Sequence, residues 1–315
     1  MVKKFSKAGG NGALAQTRLV LDALLLIALI TLAVTGFRQP QPQQADVIRP
    51  DQSADVFPRQ ARYAQARIKD QGDFKLCYEP RMTPCPGEAT PRVAIHQAAI
   101  ECIVDSLNER MALPYDITIT FKECDGPDAS YDDTTHQVTV CYDLIDDYYD
   151  LFSTEIKDEA ALDEAVKGAL ASALFHELGH ALMDAWNLPI TGKEEDAADQ
   201  LSTLILIEET EEGEQMALDG ALAFKLYAAL DGGEEKAYWD EHSLDEQRFY
   251  GILCMLYGHD PEKYEPMIKD GTLPASRAEM CKDDYAKLKK SWQTLLAPFV
   301  KTPPESVAKI RMRWP

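Results

Sequence analysis

The sequence predicts an α+β fold that is mainly helical, with a small β-hairpin or sheet ahead of one long helix and a helical C-terminal half. Three observations predict it. Apolar residues recur at helical spacing along residues 158–186. Two short stretches before them, 116–121 and 137–141, alternate apolar and polar residues as half-buried strands do. Residues 214–296 have helical patterns separated by turns that contain glycine and proline.

Length and charge limit the class of protein. A chain of 315 residues is long enough for one domain with a large core. Its 53 acidic residues outnumber the 32 basic ones, which gives a formal net charge of −21. Because a nucleic-acid partner needs a basic face, this charge argues against nucleic acid as a partner. We interpret the acidity as a solvated surface that favours solubility.

The first 36 residues have the pattern of an exported protein. Residues 1–18 carry four basic residues and no acidic one, and residues 19–36 are apolar apart from one aspartate and a few small or hydroxyl side chains. At about 1.5 Å per residue the apolar run spans about 27 Å, enough to cross a bilayer core. Because the run is long for a cleaved signal, a transmembrane anchor is favoured over a signal segment. The basic flank keeps the N-terminus cytoplasmic, so we expect the rest of the chain to be exported.

Three segments follow the apolar run. Residues 37–59 are rich in proline and glutamine, which predicts an extended linker. Residues 60–302 contain the predicted secondary structure and are interpreted as one domain, in which helices are also expected at 93–111 and 142–152. Residues 303–315 form a basic tail.

The seven cysteines suggest disulfides, because an exported domain folds in an oxidising compartment. The two predicted strands are expected to form a hairpin joined by residues 124–135. The expected pairs are Cys124–Cys141 across this hairpin, Cys254–Cys281 between two helices and Cys77–Cys85 within a loop, which leaves Cys102 single. Exchange among Cys77, Cys85 and Cys102 stays open.

The long helix carries the motif His176-Glu177-Leu178-Gly179-His180. Residues four apart lie on one face of a helix, so the two histidines can aim at one metal ion. Neutral imidazoles suit Zn²⁺, and the glutamate between them can act as the base that deprotonates a water on the metal. Gly179 is costly inside a helix, which suggests that another backbone approaches closely there.

A second cluster supplies a third ligand. A hydrolytic zinc site uses three protein ligands and leaves one position open. Glu195 fits this role, because Asp199 lies one helical turn later and can hold a ligand histidine through its other ring nitrogen. Glu194 is the alternative ligand, but position 198 is alanine and gives it no such acidic partner. The two clusters are separated by one short loop, residues 187–193.

Together, the His176–His180 motif and the Glu195–Asp199 cluster resemble the gluzincin peptidases, and the second cluster is most similar to the third-ligand motif of the CAAX-prenyl-protease-type branch. More narrowly, residues 124–292 resemble a family of metallopeptidases of bacterial envelopes that is known mainly as a domain of unknown function. Besides the two clusters, the matching stretches are Glu123-Cys124, Val140-Cys141-Tyr142 and residues 245–250, 254–258 and 277–281.

This resemblance implies a zincin-like fold, one Zn²⁺ per chain held by His176, His180 and Glu195, and Glu177 as the general base. It also implies a peptide or protein substrate. In gluzincin-like peptidases an extended substrate lies on a sheet-edge strand before the metal helix, and here the expected strand is one of the two predicted ones. With residues 19–36 in the inner membrane, we expect a single-pass protein of the bacterial cell envelope whose catalytic domain is periplasmic or extracytoplasmic.

The mechanism also needs a group that stabilises the oxyanion. The sequence offers four candidates, which are Arg248, Tyr250, His242 and His259. Two alternative functions stay open. A metal-dependent amidase acting on a cell-wall component would use the same ligands, and a non-catalytic envelope binding protein would have kept only the fold.

Overall fold

The structure is a computed structural model that describes residues 68–79, 89–210, 212–230, 236 and 238–301, with the backbone alone for residues 89–99. These residues belong to one compact unit, Ala64–Pro315. The predicted segments 1–18, 19–36, 37–59 and 303–315 lie outside the described residues.

The described elements confirm an α+β fold that is mainly helical, with a small sheet ahead of the long helix. In chain order they are β1 (Phe74–Tyr78), α1 (Ala89–Arg110), β2 (Ile117–Lys122), β3 (Ala129–Asp132), β4 (Gln137–Cys141), α2 (Tyr142–Ser153), α3 (Glu159–Ala185), α4 (Glu194–Glu209), α5 (Gly213–Leu230), α6 (Asp245–His259), α7 (Pro261–Tyr264), α8 (Pro266–Lys269) and α9 (Ala275–Leu296).

The strands pair differently from the prediction. The sheet order is β1-β2-β4-β3, and β2 runs parallel to β4, so these two strands do not form a hairpin. Parallel strands need a long connection, and residues 123–136 are long enough to provide one. This connection contains β3, which returns antiparallel along β4 and lies at the sheet edge. The sequence of β3 is short and polar, so it lacked the alternation that revealed its neighbours.

Helix α3 runs through the helical half of the molecule. It starts where the Asp158 side chain accepts a hydrogen bond from the backbone N–H of Ala161, at 2.9 Å, and it ends at Ala185, which Trp186 caps. Most of its residues after Glu164 are buried, because α2, α4 and α5 pack around it. Gly220 of α5 allows one of these approaches: a Cβ there would lie 2.4 Å from the Ser172 Oγ atom.

Two disulfides tie the elements together. Cys124–Cys141 joins the end of β2 to the end of β4, and Cys254–Cys281 joins α6 to α9. Both pairs were expected from the sequence. Within the described residues Cys77 forms no disulfide, and Cys85, its expected partner, lies outside them.

The predicted membrane localisation needs a correction. Among the residues that the structure describes, none of the helices is both long and apolar enough to cross a bilayer. The longest of these helices, α3, places His176, Glu177 and His180 among its apolar residues, and such side chains are costly in lipid. The run at residues 19–36 lies outside the described part of the chain. On this finding the prediction of a single-pass inner-membrane protein is wrong, and it is not carried further.

Candidate metal centre

Two imidazole rings of helix α3 face the same point. His176 and His180 are four residues apart, so they share one face of the helix. Their Nε2 atoms are 3.2 Å apart, and the rings meet edge to face with 4.9 Å between centroids. The helical spacing therefore brings two nitrogen donors together.

Helix α4 adds a carboxylate to this pair. The Glu195 Oε2 atom lies 3.1 Å from His176 Nε2, and its Oε1 atom lies 3.4 Å from His180 Nε2. One donor atom from each residue lies within 4.8 Å of the other two. This approach depends on Gly179, because a Cβ at that position would come within 3.3 Å of the Ala198 Cα atom. The close backbone approach that was expected at Gly179 is thus present.

Asp199 holds the other ring nitrogen of His176. Its Oδ1 atom is 2.8 Å from His176 Nδ1. Arg248 of α6 donates two hydrogen bonds to the same carboxylate, from Nε to Oδ2 at 2.8 Å and from Nη2 to Oδ1 at 2.6 Å. Burial raises the pKa of Asp199, but the bonds from His176 and Arg248 outweigh burial and hold the pKa below its ordinary value. Asp199 therefore stays ionised and orients His176 so that Nε2 faces Glu195.

The same carboxylates make the centre attractive to positive charge. Burial lowers the pKa of His176, yet hydrogen bonds with Asp199 and Glu195 outweigh it and raise the pKa to about 9. For Glu195, burial raises the pKa, but hydrogen bonds with His176 and His180 outweigh it and hold the pKa well below its ordinary range. The carboxylates thus favour positive charge at the imidazoles, whether from a proton or from a bound cation.

Glu194 contacts the second histidine from its far side. Its Oε1 atom is 2.9 Å from His180 Nδ1, which is the nitrogen that faces away from Glu195. Sequence reasoning had weighed Glu194 only as an alternative ligand and missed this position. The sequence did contain a sign of this contact, because Glu194 and Glu195 are adjacent at the start of α4. Adjacent residues on a helix face different directions, so the two carboxylates can contact different atoms.

His242 reaches the centre from the loop before α6. Its Nε2 atom lies 3.1 Å from Glu195 Oε2, and its Nδ1 atom lies 3.2 Å from Asp240 Oδ1. Lys193 fixes this loop by donating to the backbone oxygens of Asp240 at 3.1 Å and His242 at 3.3 Å. The sequence had named His242 among four candidates, but it gave no sign of the supporting Asp240.

Glu177 lies beside the two imidazoles and is 8 % exposed. Burial raises its pKa to about 7, although the neighbouring His176 and His180 act in the opposite direction. A carboxyl group with this pKa can accept and release a proton near neutral pH.

The structure does not bring every candidate into the centre. Arg248 is occupied by Asp199. Tyr250 is 39 % exposed and packs its ring against Phe249. His259 lies at the other end of α6, near Glu208 and Glu214. Of the four oxyanion candidates, His242 is the one that contacts Glu195 and takes no part in the ion pair between Arg248 and Asp199.

The geometry of the three donors fits a metal ion. Four-coordinate zinc holds nitrogen and oxygen ligands at about 2.0–2.2 Å, which places neighbouring donors roughly 3.3 Å apart. The separations among His176, His180 and Glu195 are 3.1, 3.2 and 3.4 Å. Two imidazoles and one carboxylate also form a ligand set of hydrolytic zinc sites.

The centre opens into a cleft of about 1010 Å³. The cleft runs between β3, the C-terminal half of α3 and the first turn of α4, with Glu241 and His242 at its side. An extended molecule of several residues can therefore reach the donors.

A family model matches residues 88–296, and the family is DUF4344, described as "Putative metallopeptidase". The chain belongs to this family. The matched range extends from α1 to the end of α9, so it contains the whole centre. Membership confirms the resemblance found in the sequence and supports a metallopeptidase as the class of enzyme, with His176, His180 and Glu195 as a group that could hold its metal. No curated protein and no solved structure matches the chain.

Proposed function

We propose that the protein is a zinc-dependent peptidase of the gluzincin type. One observation carries this proposal: two imidazoles and a carboxylate from two neighbouring helices converge at 3.1–3.4 Å, with Glu177 beside them. In the proposed site, His176, His180 and Glu195 hold the ion, and Asp199 and Glu194 orient the two histidines. When bound, Zn²⁺ supplies Lewis-acid polarisation of the scissile carbonyl and lowers the pKa of water to about 7.

Glu177 is the proposed general base. It takes a proton from the attacking water and later delivers it to the leaving amine nitrogen, so the same carboxyl serves both halves of the reaction. The raised pKa supports this role, because a carboxyl that titrates near neutrality can both accept and donate. Its low exposure of 8 % also limits the bulk water that can compete for the proton.

His242 is the proposed stabiliser of the oxyanion. The Asp240 carboxylate accepts a hydrogen bond from Nδ1–H, so the Nε2 atom on the side of the centre acts as a donor in the doubly protonated ring. A donor at that position can bond the oxygen that becomes negative in the transition state. Arg248 is less suited to this role, since its Nε and Nη2 atoms already donate to Asp199.

Strand β3 is the proposed support for the substrate. It lies at the sheet edge and lines the cleft, whereas β2 and β4, the strands considered from the sequence, have neighbours on both sides. An extended peptide can add to such an edge through backbone hydrogen bonds. The two disulfides support folding in an oxidising, extracytoplasmic compartment.

A substitution at Glu177 tests this function. We expect wild-type protein to hold about one zinc ion per chain and to cleave a peptide mixture. Glu177→Gln should keep the zinc and lose cleavage by a factor of at least about 100, because it removes only the base. His180→Ala should lose the zinc as well.

Mass spectrometry of the cleaved peptides and elemental analysis of the protein give both readouts. Glu159→Gln, in the exposed first turn of α3, is a control that makes the same change at a carboxylate outside the proposed machinery. Full cleavage by Glu177→Gln would show that the base assignment is wrong.

A further inference from the structure

Two regions with different linings meet at Glu177. The open cleft extends toward the C-terminal end of α3, as far as Asn187. A second cavity of about 360 Å³ extends toward the N-terminal half of the same helix, as far as Ala169. His176, Glu177 and Asp128 line both. At about 1.5 Å per residue, the far ends of these regions lie on opposite sides of Glu177 along α3.

The second cavity has mainly apolar walls. Ala169 and Ala173 of α3, Leu144 of α2, and Ala223 and Phe224 of α5 line it. Three of its charged groups have partners, since Arg248 binds Asp199 and the Tyr227 hydroxyl donates to Asp147. The alanines leave the space open, and the volume suits a side chain of leucine or phenylalanine size.

The cleft on the other side is acidic. Eight carboxylates line it, and its lining contains no lysine or arginine. Elsewhere in the described part of the chain, carboxylates such as Glu208, Glu214 and Asp284 pair with lysine or arginine. Among the described residues, Asp133 and Glu241 in the cleft pair with no lysine or arginine. Asp132 is held ionised by the backbone N–H groups of Thr134 and Thr135.

The spacing along β3 relates the two regions. Asp128 and Ala129, at its start, line both regions, while Asp132 and Asp133, at its end, line only the cleft. A strand rises about 3.3 Å per residue, so these acids lie roughly 10–13 Å from the start of β3. A side chain bound there belongs to a residue about three or four positions from the cleaved bond.

From these observations we propose that the substrate is an extended peptide with a large apolar side chain on one side of the cleaved bond and lysine or arginine residues on the other. This inference rests on the proposed function of the same site. It adds the substrate class: a cationic peptide segment next to a hydrophobic residue.

A set of matched peptides tests the proposal with zinc-loaded wild-type protein. In each peptide, the residue on one side of the central bond is Leu or Asn. The residues three and four positions away on the other side of that bond are both Lys or both Glu. Every combination is made twice, once with the Leu or Asn on the N-terminal side of the bond and once with it on the C-terminal side. We expect the Leu/Lys peptide to be cleaved with a kcat/KM at least about 10-fold above that of each single replacement. The advantage of Lys should shrink as salt rises, because exposed charges are screened. Equal rates for Lys and Glu, or for Leu and Asn, would overturn the proposal.

Two substitutions separate the two sides. Asp133→Lys should reduce the preference for Lys over Glu several-fold and leave the preference for Leu over Asn unchanged. Ala173→Phe fills the cavity, so it should reduce the preference for Leu several-fold and leave the preference for Lys unchanged. Exposed Asp283 and Ala286 of α9 provide the controls Asp283→Lys and Ala286→Phe. Unchanged preferences in Asp133→Lys and Ala173→Phe would contradict the assignment of these walls.

Binding separates this proposal from the proposed function. Fluorescence anisotropy of the same peptides on zinc-loaded Glu177→Gln needs no cleavage. Tighter binding of the Leu/Lys peptide than of each single replacement supports the substrate class, even if wild-type protein cleaves no peptide. In that case the proposed peptidase function fails and the substrate class stands. Binding without preference overturns the substrate class.

Discussion

At the scale of single residues, the two nitrogens of each histidine have separate tasks. His176 directs Nε2 to the centre because Asp199 occupies Nδ1, and Arg248 in turn fixes Asp199 with two hydrogen bonds. Glu194 does the same for His180. The centre is thus oriented by carboxylates on the same helix that supplies the third donor.

Asp199→Asn should weaken zinc binding by about 10- to 100-fold without abolishing it. The amide keeps the shape of the side chain but loses the charge that orients His176 and satisfies Arg248. Competition with a chelator measures the affinity. Asp196→Asn serves as a control, since Asp196 contacts Ser243 and none of the donors. An affinity equal to that of wild type would contradict the role of Asp199.

The buried carboxyl group of Asp219, which lies outside the metal centre, should make the stability of the fold depend on pH. It is 7 % exposed and packs against Gly168, and burial raises its pKa from 3.8 to about 7. Between these values the folded state holds a proton that the unfolded chain has released. Stability therefore falls as pH rises from about 4 to 7, and the contribution is lost above pH 7.

Asp219→Asn should remove this dependence. The amide oxygen can still accept the hydrogen bond from Gln215. At pH 8 the variant should be more stable than wild type by about 2–4 kcal/mol, and near pH 4 the two should be nearly equal. Urea unfolding at both pH values measures the difference. A gap of the same size at pH 4 and pH 8 would argue against titration of Asp219.

At the scale of elements, the contact between α3 and α4 sets the position of Glu195. Gly179 faces Ala198, which lies between Glu195 and Asp199 in sequence, at a distance that leaves little room for a side chain. Gly179→Val should push α4 outward, which should lower stability by about 1–3 kcal/mol and weaken zinc binding together.

Gly251→Val is the matched control on α6. A Cβ at Gly251 has no neighbour within 4 Å, and the residue is exposed. The change should be neutral or slightly stabilising, because valine is a better helix former than glycine. Thermal unfolding and zinc titration of both variants test the comparison. Loss of zinc affinity in Gly251→Val alone would contradict it.

Local patterns predicted some elements well. The long helix was expected at residues 158–186 and occupies Glu159–Ala185, because an apolar stripe marks it. The strand expected at 137–141 is β4 itself. Strand β3 was missed because its polar sequence shows no alternation of apolar and polar residues. The pairing of β2 with β4 was missed because it depends on contacts between residues distant in sequence.

At the scale of the whole molecule, the centre joins parts that are far apart in the chain. Helices α3 and α4 carry the donors, the loop before α6 brings His242, and β3 borders the cleft. The sequence predicted His176, His180 and Glu195 as one group because His176–His180 and Glu195–Asp199 are each four residues apart on one helix. His242, Asp240 and the two differently lined cavities could not, since tertiary packing alone brings them together.

The zinc content of three purified proteins tests the account most directly. We predict about one ion per chain in wild type, a loss of the ion in Glu195→Ala, and one ion with weaker affinity in Glu194→Ala, because only Glu195 contacts both Nε2 atoms. Elemental analysis after dialysis against buffer with a weak chelator gives the result. An ion retained in Glu195→Ala as firmly as in wild type would contradict the proposed centre.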